Sequence, residues 1–193
     1  EKVMGDVLQV AEFCHYPTEA LGFLSIFCPE GEEWVCSQPC VRVVIDSREE
    51  SNAHDFDAAG RDVYHATLGN NPVFVESTAD LAACADEVVL GKSFCYGMLP
   101  GAEQSVVVER AVDERFQEEL RRRGCHFLTD EQADRLVGTL FMPDGTPYRE
   151  LVAKSAFDLA RRADITVPES TRALVVEKPY VSEHSFFSKA KRS

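Results

Sequence analysis

From Val63 onward, apolar runs of strand length alternate with stretches of helical length, and this alternation restricts the chain to an α/β layer structure. Strands are predicted at Pro72–Glu76, Ser105–Glu109, Cys125–Leu128 and Ala173–Glu177. Each is a short apolar run carrying the β-branched residues that fit a pleated surface. Helices are predicted between them, over Thr78–Lys92, Ala111–Arg123, Thr129–Phe141 and Arg149–Ala163. Thr129 with Gln132 three residues later has the spacing of a capping box. Gly124 follows Arg121-Arg122-Arg123, the order expected where a helix ends on cations and a glycine.

The first sixty residues are less regular. A helix carrying Val3, Val7, Leu8, Val10 and Ala11 opens the chain and leads into a proline-punctuated apolar stretch, Leu21–Pro39. Val41–Ile45 is a strand signal, and the acidic run Asp46–Asp57 has no clear period, as in a loop or an exposed helix. We therefore expect residues 1–60 to be an N-terminal extension and residues 61–193 to form the α/β domain. Its sheet should be parallel or mixed, with flanking helices. A chain of 193 residues is long enough for one sizeable core or two small ones.

Composition narrows the function classes. The net charge of −13 argues against nucleic-acid binding, which needs a basic face. No apolar run approaches the ~18–20 residues needed to cross a bilayer, so no direct membrane insertion is expected. Seven dispersed cysteines read as reduced intracellular thiols instead of a disulfide framework. The first residue is Glu1 and not Met, which adds import into a mitochondrion or another organelle to the expectations.

Several segments carry a resemblance. Gly69-Asn70-Asn71-Pro72 leads through Val73-Phe74-Val75-Glu76 to Thr78-Ala79-Asp80-Leu81. Lys92-Ser93-Phe94-Cys95-Tyr96-Gly97-Met98-Leu99-Pro100-Gly101-Ala102-Glu103-Gln104 follows, and then Phe127-Leu128-Thr129, Ala153-Lys154-Ser155-Ala156, Ile165-Thr166-Val167-Pro168 and Glu183-His184-Ser185. From about Gly60 onward this resembles the acylating, CoA-dependent aldehyde dehydrogenases, as in the aldehyde dehydrogenase half of bifunctional aldehyde–alcohol dehydrogenases. The family's active-site segment runs Lys-Thr-Phe-Asp-Asn-Gly, two variable residues, Cys, two small residues and Glu-Gln. The resemblance implies an aldehyde-dehydrogenase-like fold with a Rossmann-like NAD domain and a catalytic α/β domain. The implied reaction converts an aldehyde, NAD and CoA to an acyl-CoA and NADH through a cysteine thioester. Ala66 stands where hydrolytic relatives keep a glutamate base, which fits the CoA-dependent branch.

Pro100 stands where that family keeps the cysteine. Thioester chemistry needs a group that ionises near neutrality and can leave again, and proline has none. Proline also lacks the backbone N–H that the family turns on the oxyanion. Losing an oxyanion donor alone costs about 10²–10³ in rate. Cys95 lies five residues earlier, over ~15 Å of extended chain, and reads as a small, partly buried thiol. The family's glycine-rich turn matches Ser47-Arg48-Glu49-Glu50-Ser51-Asn52, which has no glycine and adds acid, so the resemblance implies that residues 1–60 are an extension or a degenerate remnant of the nucleotide-binding part. His65-Ala66-Thr67-Leu68-Gly69 keeps only the last glycine of a small-residue turn.

Other constellations are weaker. Cys28, Cys36 and Cys40 with His15 lack the spacing of a zinc knuckle, and buried free thiols are the expected reading. His54, His65, His126 and His184 have no acid–base partner legible in sequence. Arg121-Arg122-Arg123 is read as a solvated last helical turn in preference to a phosphate site.

The expectation is thus a truncated, catalytically degenerate relative acting as an accessory subunit among other protein subunits. No catalytic, cofactor-binding or metal-ligating residue is assigned and no cofactor is expected, with NAD and CoA the cofactors if the family activity survives. The alternative is a working NAD- and CoA-dependent enzyme taking acetaldehyde to acetyl-CoA.

Overall fold

A computed structural model describes residues 2–23, 28–46, 62–65, 69, 71–143, 145, 147–179 and 187, apart from the side chains of Glu32, Cys36 and His65. The chain divides into two compact units, Glu1–Ala66 and Thr67–Ser193.

The first unit contains helix α1 (Lys2–Phe13), helix α2 (Pro29–Ser37) and strands β1 (Val43–Asp46) and β2 (Asp62–His65). α1 forms as its pattern predicts, yet Val3 and Val10 are exposed and Ala11 is its buried residue. α2 was not anticipated. Its signal is Pro29, whose missing N–H and fixed φ suit the first helical turn. Cys28 caps it, the Sγ accepting from the Gly31 N–H at 3.3 Å. β1 and β2 pair in parallel, with Val43 opposite Asp62 and Asp46 opposite His65. β2 is too short to stand out in sequence. Apart from Asp46 itself, the acidic run Asp46–Asp57 lies outside the described residues.

The second unit carries β3 (Asn71–Val75), α3 (Leu81–Ser93), β4 (Glu103–Val108), α4 (Asp113–Arg122), β5 (Cys125–Phe127), α5 (Asp130–Leu140), α6 (Ala156–Arg162) and β6 (Ala173–Val175). All four predicted strands are present within two residues of their expected starts. β3 pairs in parallel with β4, and β5 with β6, each pair joined by a helical crossover as parallel pairing requires. The result is an α/β architecture built of parallel strand pairs.

Sequence chemistry fixes the helices. Asp80 starts α3 by accepting from the Ala82 and Ala83 N–H groups, both at 3.1 Å. Leu81, Ala85, Val88 and Val89 then face the core at helical spacing. The capping box at Thr129 and Gln132 forms in both directions. The predicted helix over Arg149–Ala163 does not form as one piece. A single 3₁₀ turn at Arg149–Leu151 ends before Ala153, which takes a left-handed φ of 59°. Ser155 restarts the helix by accepting from the Asp158 N–H at 3.0 Å, so α6 begins at Ala156.

One core gathers Val75, α3, Phe116 and Leu120 of α4, Cys125 and Ala173, with Phe116 wholly buried. A second joins α5 to α6 through Leu136, Leu159, Ala160, Ala163 and Ile165. Arg123 ties α3 to the end of α4. Its Nε and Nη2 donate to the two carboxylate oxygens of Asp86 at 2.6 and 2.9 Å, and its Nη1 donates to Glu119.

Candidate functional site

The segment bearing the resemblance runs from the end of α3 to the start of β4. α3 stops at Ser93, and Phe94–Gly97 follows as a tight turn. Cys95 and Tyr96 both take left-handed backbone, φ 48° and 53°, and Gly97 follows at φ 75°. Left-handed backbone costs an ordinary L-residue roughly 1–2 kcal/mol, and Asn and Asp tolerate it best after glycine. The Asp-Asn-Gly of the family segment suits this turn for that reason, and Cys95-Tyr96 meets the same geometry with strained residues. Gly97 is buried under Lys92, whose Nζ donates to Gln104 Oε1 at 3.1 Å.

Pro100 occupies a β-turn. The Ala102 N–H donates to the Leu99 carbonyl at 3.0 Å, leaving Pro100 and Gly101 as the central residues, the order such turns favour. The turn is latched to the chain entering β3. Asn71 Nδ2 donates to the Pro100 carbonyl at 2.6 Å and to that of Ala102 at 3.4 Å. Gly69, at φ 82°, passes so close that a Cβ there would lie 2.1 Å from the Pro100 oxygen. Where β4 begins, the register with β3 slips. Asn71 faces Glu103 but Pro72 faces Ser105, so Gln104 bulges. Beside it, Glu103 Oε2 is buried against Gly91 with no hydrogen-bond partner among the described residues.

Pro100 is exposed and offers no ionisable group and no N–H, so the loop does not supply the nucleophile that thioester chemistry needs. Cys95 is exposed, not partly buried as the sequence suggested, because the left-handed turn carries it away from the core. Among the described residues nothing hydrogen-bonds its Sγ. The glycine-poor stretch Ser47–Asn52, Ala66 and the segment Glu183–Ser185 lie outside the described residues.

The remaining candidates find other settings. Cys28 is occupied as a helix cap, Cys40 is exposed, and His15 is exposed with a φ of 56°. Among the described residues, no three His, Cys, Asp or Glu side chains assemble around a metal-sized space. In the arginine run, Arg121 lies over the Phe127 ring at 4.3 Å and Arg122 pairs with Glu118 and Glu119. Arg123 holds Asp86, whose carboxyl this hydrogen bond keeps below the usual range. Burial pushes the Cys125 thiol up to about 11, so it is an inert core residue. His126 lies half-buried on β5. No described helix is long and apolar enough to cross a membrane. Sequence reasoning missed the Asn71–Pro100 latch, the bulge at Gln104 and the left-handed pair; only the Pro-Gly and Gly-Asn dipeptides hinted at them.

The fold of this chain is that of the aldehyde dehydrogenases. An acetylating aldehyde dehydrogenase from Geobacillus thermoglucosidasius superposes with a TM-score of 0.81 at 21% identity, covering 96% of this chain and 41% of that one. A probable aldehyde dehydrogenase from Listeria monocytogenes gives 0.82 at 27% identity, covering 95% and 40%. Curated relatives refine the class. The bifunctional aldehyde-alcohol dehydrogenase AdhE of Escherichia coli is 25% identical over 187 residues, 97% of this chain and 21% of its own. The propanal dehydrogenase (CoA-propanoylating) of Citrobacter freundii is 34% identical over 118 residues, 61% of this chain and 25% of its own. The chain is thus homologous to the acylating aldehyde dehydrogenases and forms a domain like theirs. It spans a quarter or less of the length of these curated relatives. No family model matches the chain.

Proposed function

We propose that this chain is a catalytically silent acylating-aldehyde-dehydrogenase-like protein that serves as an accessory subunit in a larger protein assembly. The observation carrying the proposal is Pro100, fixed in a Pro-Gly turn by Asn71 at the position of the family's cysteine. One residue removes both the thiol and the oxyanion N–H, while the latch around it remains ordered as structure. Exposed apolar side chains support the partner half of the reading. Phe74 and Val107 sit opposite each other across β3 and β4, 69% and 45% exposed. Phe94, Tyr96, Met98 and Leu99 are exposed around the turn itself. Contiguous exposed apolar surface is a mark of protein contact sites, and these side chains supply candidates for it.

The test combines activity and association. The purified chain, given acetaldehyde, NAD and CoA, is expected to form no NADH, and the protein drawn from its native source is expected to bring other subunits with it. NADH formation that Cys95→Ser abolishes would overturn the silent reading in favour of a working NAD- and CoA-dependent acylating dehydrogenase. The exposure of Cys95 is the one observation favouring that second reading. A protein that stays alone through sizing and pull-down would remove the accessory role.

A further inference from the structure

A second constellation lies away from the Pro100 turn. Leu151, Lys154, Asp158, Arg161 and Arg162 line an open depression of about 470 Å³ on the α6 side of the second unit. Three cations and one carboxylate give it a local charge of +2, in a chain whose net charge is −13. The carboxylate is already engaged: the Ser155 hydroxyl donates to Asp158 Oδ2 at 2.7 Å, and Arg161 lies 3.5 Å from Oδ1. Lys154 and Arg162 are exposed and carry no ion pair or hydrogen bond among the described residues.

Ordinary helix chemistry accounts for only part of this cluster. Arg161 and Arg162 lie in the last turn of α6, where cations complement the carbonyl end. Lys154 is different. It precedes the N-cap Ser155, at the end of the helix where a cation is disfavoured. The i, i+4, i+7 and i+8 spacing of Lys154, Asp158, Arg161 and Arg162 sets them on one face of this segment, which brings the three cations to one depression.

We propose that this depression binds a phosphate-bearing small molecule. The charge selects the ligand class. A phosphomonoester carries about −1.5 to −2 at neutral pH, matching the +2 of the site, whereas a single carboxylate would leave it half compensated. Arginine forks receive phosphate oxygens in pairs, lysine adds a point charge, and Leu151 offers an apolar wall for the body of the ligand.

Calorimetric titration of the full chain at low ionic strength, first with inorganic phosphate and then with diphosphate, tests the assignment. Saturable binding is expected, with diphosphate the tighter, and Lys154→Ala/Arg162→Ala should weaken it by about tenfold or more. Both replaced residues are exposed, so thermal unfolding should be unchanged; a shifted transition directs the comparison to Lys154→Gln/Arg162→Gln. Arg115→Ala, which removes an exposed cation from α4, should change binding less than about twofold. Flat titrations, binding that survives the double substitution, or equal losses in Arg115→Ala would each overturn the proposal, the last by reducing it to diffuse charge.

Discussion

Gly69→Ala offers the sharpest test of the latch that holds the Pro100 turn. Gly69 sits at φ 82°, where an alanine pays roughly 1–2 kcal/mol for left-handed backbone. Its Cβ would lie 2.1 Å from the Pro100 carbonyl oxygen, and the obstacle is backbone, so no flexible side chain can give way. Moving the turn aside breaks the 2.6 Å bond from Asn71 Nδ2, worth about 0.5–1.5 kcal/mol. Together these give a loss of about 2–3 kcal/mol. The companion is Gly138→Ala inside α5, where nothing lies within 4 Å of the added Cβ. There the lower entropy of the unfolded alanine should stabilise by about 0.5–1 kcal/mol. Urea unfolding of both variants, with unchanged slope, reads the two effects directly. The reasoning fails if Gly69→Ala costs less than the error of the measurement, or if the two substitutions shift stability in the same direction.

Three further expectations rest on single side chains. Cys95→Asn should stabilise by about 0.5–1 kcal/mol because asparagine tolerates left-handed backbone, while the β-branched Cys95→Val should destabilise by a similar amount or more; equal midpoints in urea would contradict the strain. The Asp86 carboxyl is held low first of all by its hydrogen bond from Arg123, so its contribution is present above the ordinary carboxylate value and lost as pH falls through the depressed one. The stability gap between the wild type and Asp86→Asn should therefore close below about pH 4. A gap that stays constant in acid would refute this. The Cys125 thiol, raised from 9.0 to about 11 by burial, contributes stability that is whole below pH 9 and lost as pH rises toward 11. Native-state alkylation at neutral pH should correspondingly label Cys14, Cys40 and Cys95 but spare Cys125; mass spectrometry that finds Cys125 modified before unfolding would count against its burial.

Much of the second unit was legible because its signals are local. The Thr129–Gln132 box acts within one turn of its own helix, so spacing alone exposes it. The failures fall where one local signal competes with another. Arg149–Ala163 has a helical composition, but the cap at Ser155 wins over continuation and cuts the helix to α6. β2 and α2 are short enough that neither periodicity nor length sets them apart.

By itself the sequence determined the α/β class, the family likeness and the absence of a thiol at Pro100, since these depend on residue identity and order. Tertiary structure decided what Pro100 does instead. Its carbonyl meets Asn71 from 29 residues away, and Gly69 passes against the same carbonyl. Contacts across that separation are fixed by how β3 and β4 pair, and no short-range pattern encodes the register slip that brings them together.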